Sequence, residues 1–143
     1  MFKISAIAAS AVMCLTAVAW PQLASAEGAI AVGISGDVAK DGYAIGISVN
    51  KDNEEDARET ALDWCRSHGA PEMHSRCNIV ITFRGQCAAE ANDPKPGTPG
   101  AGWAIGPDRE TAEQLAMSNC QASAGRNRRS FCKVAASLCD NER

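Results

Sequence analysis

Apolar positions along this chain change their period several times, and each change marks an element. Gly28 to Ser35 (GAIAVGIS) and Tyr43 to Val49 (YAIGISV) are short apolar segments of strand length. Gly36-Asp37 and Asp41-Gly42 between them are turn formers, so the pair predicts a β-hairpin. Neither segment alternates cleanly, which implies cover on both faces. The period then becomes helical. Ala57, Ala61 and Cys65 recur four residues apart with Leu62 beside them, a narrow buried stripe. Asn53 is placed as the N-cap, Glu54, Glu55 and Asp56 favour the positive end of the helix dipole, and Gly69 stops it. Asn78 to Arg84 (NIVITFR) alternates as a strand, with Ile79, Ile81 and Phe83 on the face shared by Cys77 and Val80, Thr82 and Arg84 on the other. Gly85 permits a bend before Gln86 to Ala91.

Asn92 to Gly102 (NDPKPGTPGAG) is too rich in Pro and Gly for a regular element and reads as a linker. Beyond it the pattern returns. Trp103-Ala-Ile-Gly106 echoes Tyr43-Ala-Ile-Gly46, and Asp108 caps a second helix running to about Ala124. Ala112, Ala116 and Cys120 repeat Ala57, Ala61 and Cys65 at a constant offset of 55. Phe131 to Cys139 (FCKVAASLC) is the last strand, with Cys132, Val134, Ala136 and Leu138 on one side. The expected architecture is α+β. Two pseudo-repeated strand-helix-strand halves, about residues 27–91 and 103–143, are joined by linker 92–102, with helices packed on an antiparallel sheet.

The first 26 residues read as a secretory signal peptide: Lys3, an apolar run from Ile4 to Trp20, and an A-x-A site at Ala24-Ser25-Ala26. Cleavage there leaves a single domain, residues 27–143, in the periplasm or outside the cell. It also discards Cys14, so that six of the seven cysteines remain. Without Lys3, 13 basic residues face 17 acidic ones, a net charge of −4. That balance argues against a nucleic-acid binder, and no membrane association is expected once the leader is gone.

Cys65, Cys77 and Cys87 are matched by Cys120, Cys132 and Cys139, the first two of each set being 12 residues apart. Cys65-x2-His68 and His74-x2-Cys77 have the spacing of a zinc site. The segment between Cys120 and Cys132 (QASAGRNRRSF) has no histidine, and a shared spacing calls for one explanation. Disulfides Cys65–Cys77 and Cys120–Cys132 supply it, and an oxidising compartment favours them over metal. Elimination leaves Cys87 and Cys139 to join the two halves, a pairing the spacing itself does not establish.

Candidate chemistry is sparse. His68 and His74 share one loop with Glu72 as the only acidic residue between them, an arrangement expected to be solvated. GAIAVGISG lacks the G-K-[ST] ending of a phosphate loop, and Ser35 and Ser48 lie outside any nucleophile elbow. No catalytic residue, metal or cofactor is expected. Arg126, Arg128 and Arg129 after the second helix are the candidate partner-binding residues, suited to an anionic ligand or acidic surface. Tyr43, Trp64, Trp103 and Phe131 serve either as core or as a contact patch.

These motifs together resemble the bacterial exported family called domain of unknown function 4189. The resemblance runs from Gly28 to Cys139 and is carried by the aromatic-Ala-Ile-Gly pieces, the A-x3-A-x3-C helices and the cysteine-started strands at Cys77 and Cys132. It implies an exported α+β domain similar to the β-lactamase-inhibitor-protein fold, and no catalytic residues. A protein-binding or inhibitor-like module, with an envelope or extracellular protein as partner, is the functional expectation. A small secreted hydrolase and a purely structural envelope protein are the alternatives.

Overall fold

Strand β1 (Glu27–Ile34) lies at the centre of a three-stranded antiparallel sheet in the order β2-β1-β3, with β2 at Tyr43–Lys51 and β3 at Asn78–Arg84. A one-turn helix, α1 (Val38–Asp41), fills the predicted hairpin connection. Strand β4 (Cys87–Asn92) is central to a second such sheet, β5-β4-β6, with β5 at Ala101–Gly106 and β6 at Lys133–Cys139. Helix α2 (Glu54–Ser67) and helix α3 (Arg109–Ser123) connect β2 to β3 and β5 to β6. The structure is a computed structural model and describes residues 27–140 and residue 142. The expected leader, with Cys14, lies outside the described residues. Among the described residues no helix is long and apolar enough to cross a membrane.

Both helix starts follow from their caps. The Asn53 side chain accepts from Asp56 N at 2.9 Å, and the Asp108 side chain accepts from Thr111 N at 2.8 Å, which holds the Asp108 carboxyl below its ordinary pKa. The alanine stripes are buried as the periodicity predicts. Ala57, Ala61 and Cys65 pack on Ala29, Ala31 and Ala44, while Ala112, Ala116 and Cys120 pack on Ala89, Ala91 and Ala104. Small residues on both sides let the helix axes come close. At Gly46 an added Cβ would lie 2.0 Å from the Ala61 carbonyl oxygen, and at Gly102 it would lie 2.5 Å from that of Ala116.

One antiparallel sheet was expected, and there are two. Each sheet has apolar residues on both faces, so a single helix covers only half of what must be buried. The second faces cover one another: Ile30, Val32, Ile47 and Phe83 of the first sheet pack with Ala88, Trp103 and Ile105 of the second. The layers therefore run helix, sheet, sheet, helix. At one end a buried carboxylate joins the sheets. Asp140, just past β6, accepts from Asn50 N at 2.9 Å and from Gly85 N at 3.1 Å, at the ends of β2 and β3.

Two further expectations are corrected. The strict alternation read for residues 77–83 is interrupted, because Ile30 faces Ile81 while Ala31 faces Ile79, leaving Val80 unmatched. That extra residue turns Ile79 toward α2 and leaves Ile81 and Phe83 in the inter-sheet layer. The same slip at Ala135 separates Val134, opposite Ala91, from Ala136 and Leu138, opposite Glu90 and Ala88. The segment that follows the Gly85 bend is a strand: Cys87–Asn92, as β4, is central to the second sheet.

All three disulfides are present: Cys65–Cys77, Cys120–Cys132 and Cys87–Cys139. The first two tie a helix end to the following strand, with Cα separations of 6.0 and 6.1 Å. The third is the pairing that elimination left, and it bridges β4 and β6 within the second sheet, linking residue 87 of the expected first half to residue 139 of the expected second. With Cys65 bonded to Cys77, neither sulfur is available to zinc.

Candidate functional site

The polar residues of the inter-sheet layer gather on one side. Glu90 is the single acidic residue of β4 (CAAEAN), and strand alternation sends Ala89 and Ala91 to α3 but Ala88, Glu90 and Asn92 toward the opposing sheet. Tyr43 opens β2 on the facing layer. Its hydroxyl donates to Glu90 Oε1, and Asn92 Nδ2 donates to the same phenol oxygen at 3.0 Å. Burial pushes the Glu90 carboxyl above its ordinary pKa, and the Tyr43 hydrogen bond opposes that shift. The Tyr43 phenol is raised as well, first by burial and then by the charge and hydrogen bond of Glu90.

Two adjoining cavities open onto this group. One, of about 340 Å³, is lined by Tyr43, Ile45, His68, Gly69, Glu90 and Asn92. The other, of about 330 Å³, has Ile45, Ile47, Ala136 and Leu138 as apolar walls, with Trp64, His68 and Glu90. Shared lining by Ile45, His68 and Glu90 makes them one cleft between edge strands β2 and β6. Trp64 is 48% exposed and Leu138 39% exposed, so large apolar side chains stand in solvent at its margin. The His68 ring lies against Trp64 with centroids 3.8 Å apart, and its Nδ1 is 3.1 Å from the Trp64 carbonyl oxygen. The cleft can therefore offer a hydrogen-bonding carboxyl group beneath an apolar rim.

The sequence-predicted residues fall elsewhere. Arg128 is engaged within the fold: its Nε and Nη2 reach the Asp93 carboxylate at 2.6 and 2.8 Å, and its guanidinium lies 4.2 Å from the Phe131 ring centroid. That fork holds the Asp93 carboxyl down to about 2, against an opposing effect of burial. Arg126 and Arg129 are exposed and do not share the contact. His74 Nε2 lies 3.2 Å from the His68 carbonyl oxygen; the segment expected to be a solvated loop is a 3-10 helix, Pro71–Arg76, in which His74 is half-buried. Of the four aromatic residues singled out in the sequence, Trp103 packs in the inter-sheet layer and Tyr43 reaches across it to Glu90, whereas Trp64 and Phe131 are half exposed. Glu90, Asn92 and Asp93 escaped sequence reading. For Glu90 there was a signal, a lone acid within a run of small strand residues.

Layering, disulfides and cleft define a disulfide-stapled α+β sandwich with a polar group set between its sheets. Residues 28–139 match the family model described as Domain of unknown function (DUF4189), and the chain belongs to that family. No curated protein and no solved structure matches it.

Proposed function

We propose that this domain is an exported protein-binding module, periplasmic or secreted, whose recognition surface is the cleft between β2 and β6. The observation that carries this reading is the exposure of Trp64 and Leu138 beside an apolar cleft with Glu90 inside it. A large aromatic residue half in solvent at a concave site is the usual anchor of an interface. Three disulfides fit an oxidising compartment and a rigid scaffold. The matching strand-strand-helix-strand order of β1-β2-α2-β3 and β4-β5-α3-β6 supports two copies of one unit. The β-lactamase-inhibitor-like architecture that the family resemblance implies would be one way of presenting such a surface to another protein. Exposed Arg126 and Arg129 form a separate contact point for an acidic partner surface, with Arg128 holding their loop.

The test is recovery of envelope or extracellular proteins on immobilised exported protein, compared with Trp64→Ala/Leu138→Ser and with Arg126→Ala/Arg129→Ala. A partner that the wild type retains and the cleft variant loses supports the reading. Equal recovery on the cleft variant overturns it. A second reading, a small hydrolase, draws on the shared lining of the cleft by His68 and Glu90. Turnover of a substrate panel that Glu90→Gln and His68→Ala each abolish would establish it in place of the first.

A further inference from the structure

We infer that the cleft receives the side chain of a lysine from the partner protein, its ammonium on Glu90 and its aliphatic stem between the apolar walls. This rests on the proposed reading of the cleft as a protein-binding surface. Three features of the geometry support it. The first is the acceptor. Tyr43 donates to Glu90 Oε1, while Oε2 has no hydrogen-bond partner among the described residues, and Glu90 lines both cavities. Glu90 is half-buried, and its second oxygen is open to the cavities, where an arriving cation can meet it.

The second feature selects between cations. An arginine guanidinium is matched to both oxygens of a carboxylate at once, whereas a lysine ammonium is a compact charge needing one. With Oε1 occupied by the tyrosine hydroxyl, a single oxygen is left, which favours lysine. Asn92 turns its amide nitrogen to Tyr43, so the carbonyl oxygen of the same amide is a further acceptor among the lining residues. An ammonium has three donors to place.

The third feature is the path to the carboxylate. Ile45, Ile47, Ala136 and Leu138 line the cavity that ends on Glu90, and Trp64 stands at its margin. Lysine buries its methylene stem along apolar surface and keeps its charge at the tip, and an ammonium near an indole face gains a cation–π contribution. The overall charge also agrees: with the leader removed the chain carries −4, complementary to a basic partner segment.

The experiment is an NMR titration of the exported protein with N-acetyl-lysine-methylamide as probe, alongside the norleucine and arginine equivalents. The lysine compound is expected to shift the Trp64 indole and the Ile45, Ile47 and Leu138 methyl signals saturably. The norleucine compound should leave them in place, and the arginine compound should bind several-fold more weakly. Glu90→Gln keeps an oxygen for Tyr43 and should weaken the lysine probe about tenfold or more, a charge-assisted hydrogen bond being lost. Trp64→Ala, which leaves the inter-sheet layer intact, should weaken it as well. Equal shifts from lysine and norleucine compounds, or unchanged binding by Glu90→Gln, overturn the assignment. If the cleft variant loses its protein partner while the lysine probe does nothing, the lysine assignment alone falls. If the cleft variant keeps its partner, the docking surface falls with it.

Discussion

Glu27 and Arg84 form an ion pair at the place in the first sheet that the Cys87–Cys139 disulfide holds in the second. Glu27 begins β1 and faces Arg84, the last residue of β3; Cys87 begins β4 and faces Cys139, the last residue of β6. Arg84 Nε reaches Glu27 Oε1 at 2.6 Å, the carboxylate being buried and the guanidinium mostly exposed. Two sheets of one topology thus close the same corner with different chemistry.

The corner of the first sheet should therefore accept a disulfide. Replacing Glu27 and Arg84 together by cysteine closes a loop of 57 residues, for which chain entropy alone gives about 4 kcal/mol. Engineered bonds deliver less, so the expected gain is about 2 kcal/mol. Mass mapping of the non-reduced protein should find a fourth bond, and thermal unfolding should move upward. Two free thiols at 27 and 84 would contradict the equivalence.

Helix–sheet contact makes a second prediction. A methyl group at Gly46 or Gly102 meets helix backbone, which cannot turn aside as a side chain can. Gly46→Ala and Gly102→Ala should each destabilise the domain by about 3 kcal/mol, the upper end of ordinary overpacking. Gly36→Ala, where an added Cβ has no heavy atom within 4 Å, should stay within about 0.5 kcal/mol of the wild type. Chemical denaturation of the three variants is sufficient to check this.

The same two glycines show how far the sequence could be read. Helix caps, alanine stripes and the 12-residue cysteine spacing are local, and they led correctly to α2, α3 and two disulfides. The echo of Tyr43-Ala-Ile-Gly46 in Trp103-Ala-Ile-Gly106 is out of register with the packing: Gly46 lies against Ala61 and Cys65, and its counterpart against Ala116 and Cys120 is Gly102, not Gly106. A period-2 pattern also hides an inserted residue, so Val80 and Ala135 concealed a change of face. Glu90 and Tyr43 are 47 residues apart on strands of different sheets. Only the stacking of those sheets brings them together, and no spacing rule reports that.

Tyr43 is the only tyrosine in the chain, so tyrosinate absorbance isolates it. Its phenol is raised above 10.0, and the proton is therefore bound more tightly in the folded than in the unfolded state. Stability from this group is full below pH 10 and is lost as pH rises beyond it, because only the unfolded state then releases the proton. Tyrosinate should appear together with alkaline unfolding rather than before it. Glu90→Gln removes the charge contribution while burial persists, so its tyrosine should ionise at lower pH than that of the wild type. A wild-type phenol titrating near pH 10 in a still-folded protein would refute the buried hydrogen bond.

Asp93 and Arg128 predict the acid limb of the stability curve and, with it, the behaviour of the arginine loop. The folded carboxyl is lowered to about 2, so its stabilising effect is complete above the ordinary value of 3.8 and disappears as pH falls toward 2. Arg128→Ala leaves Asp93, 8% exposed, without its cation. Its melting temperature should fall at pH 7, and its decline between pH 4 and 2 should be shallower than in the wild type, since Asp93 then titrates nearer its ordinary value. Arg126→Ala and Arg129→Ala, exposed and outside this contact, should keep both the wild-type melting temperature and its acid slope. Thermal unfolding of the four proteins across that range separates them. An Arg128→Ala curve that coincides with the other two would show that the Asp93 fork does not hold this loop, and would return Arg128 to the partner-binding set expected with Arg126 and Arg129.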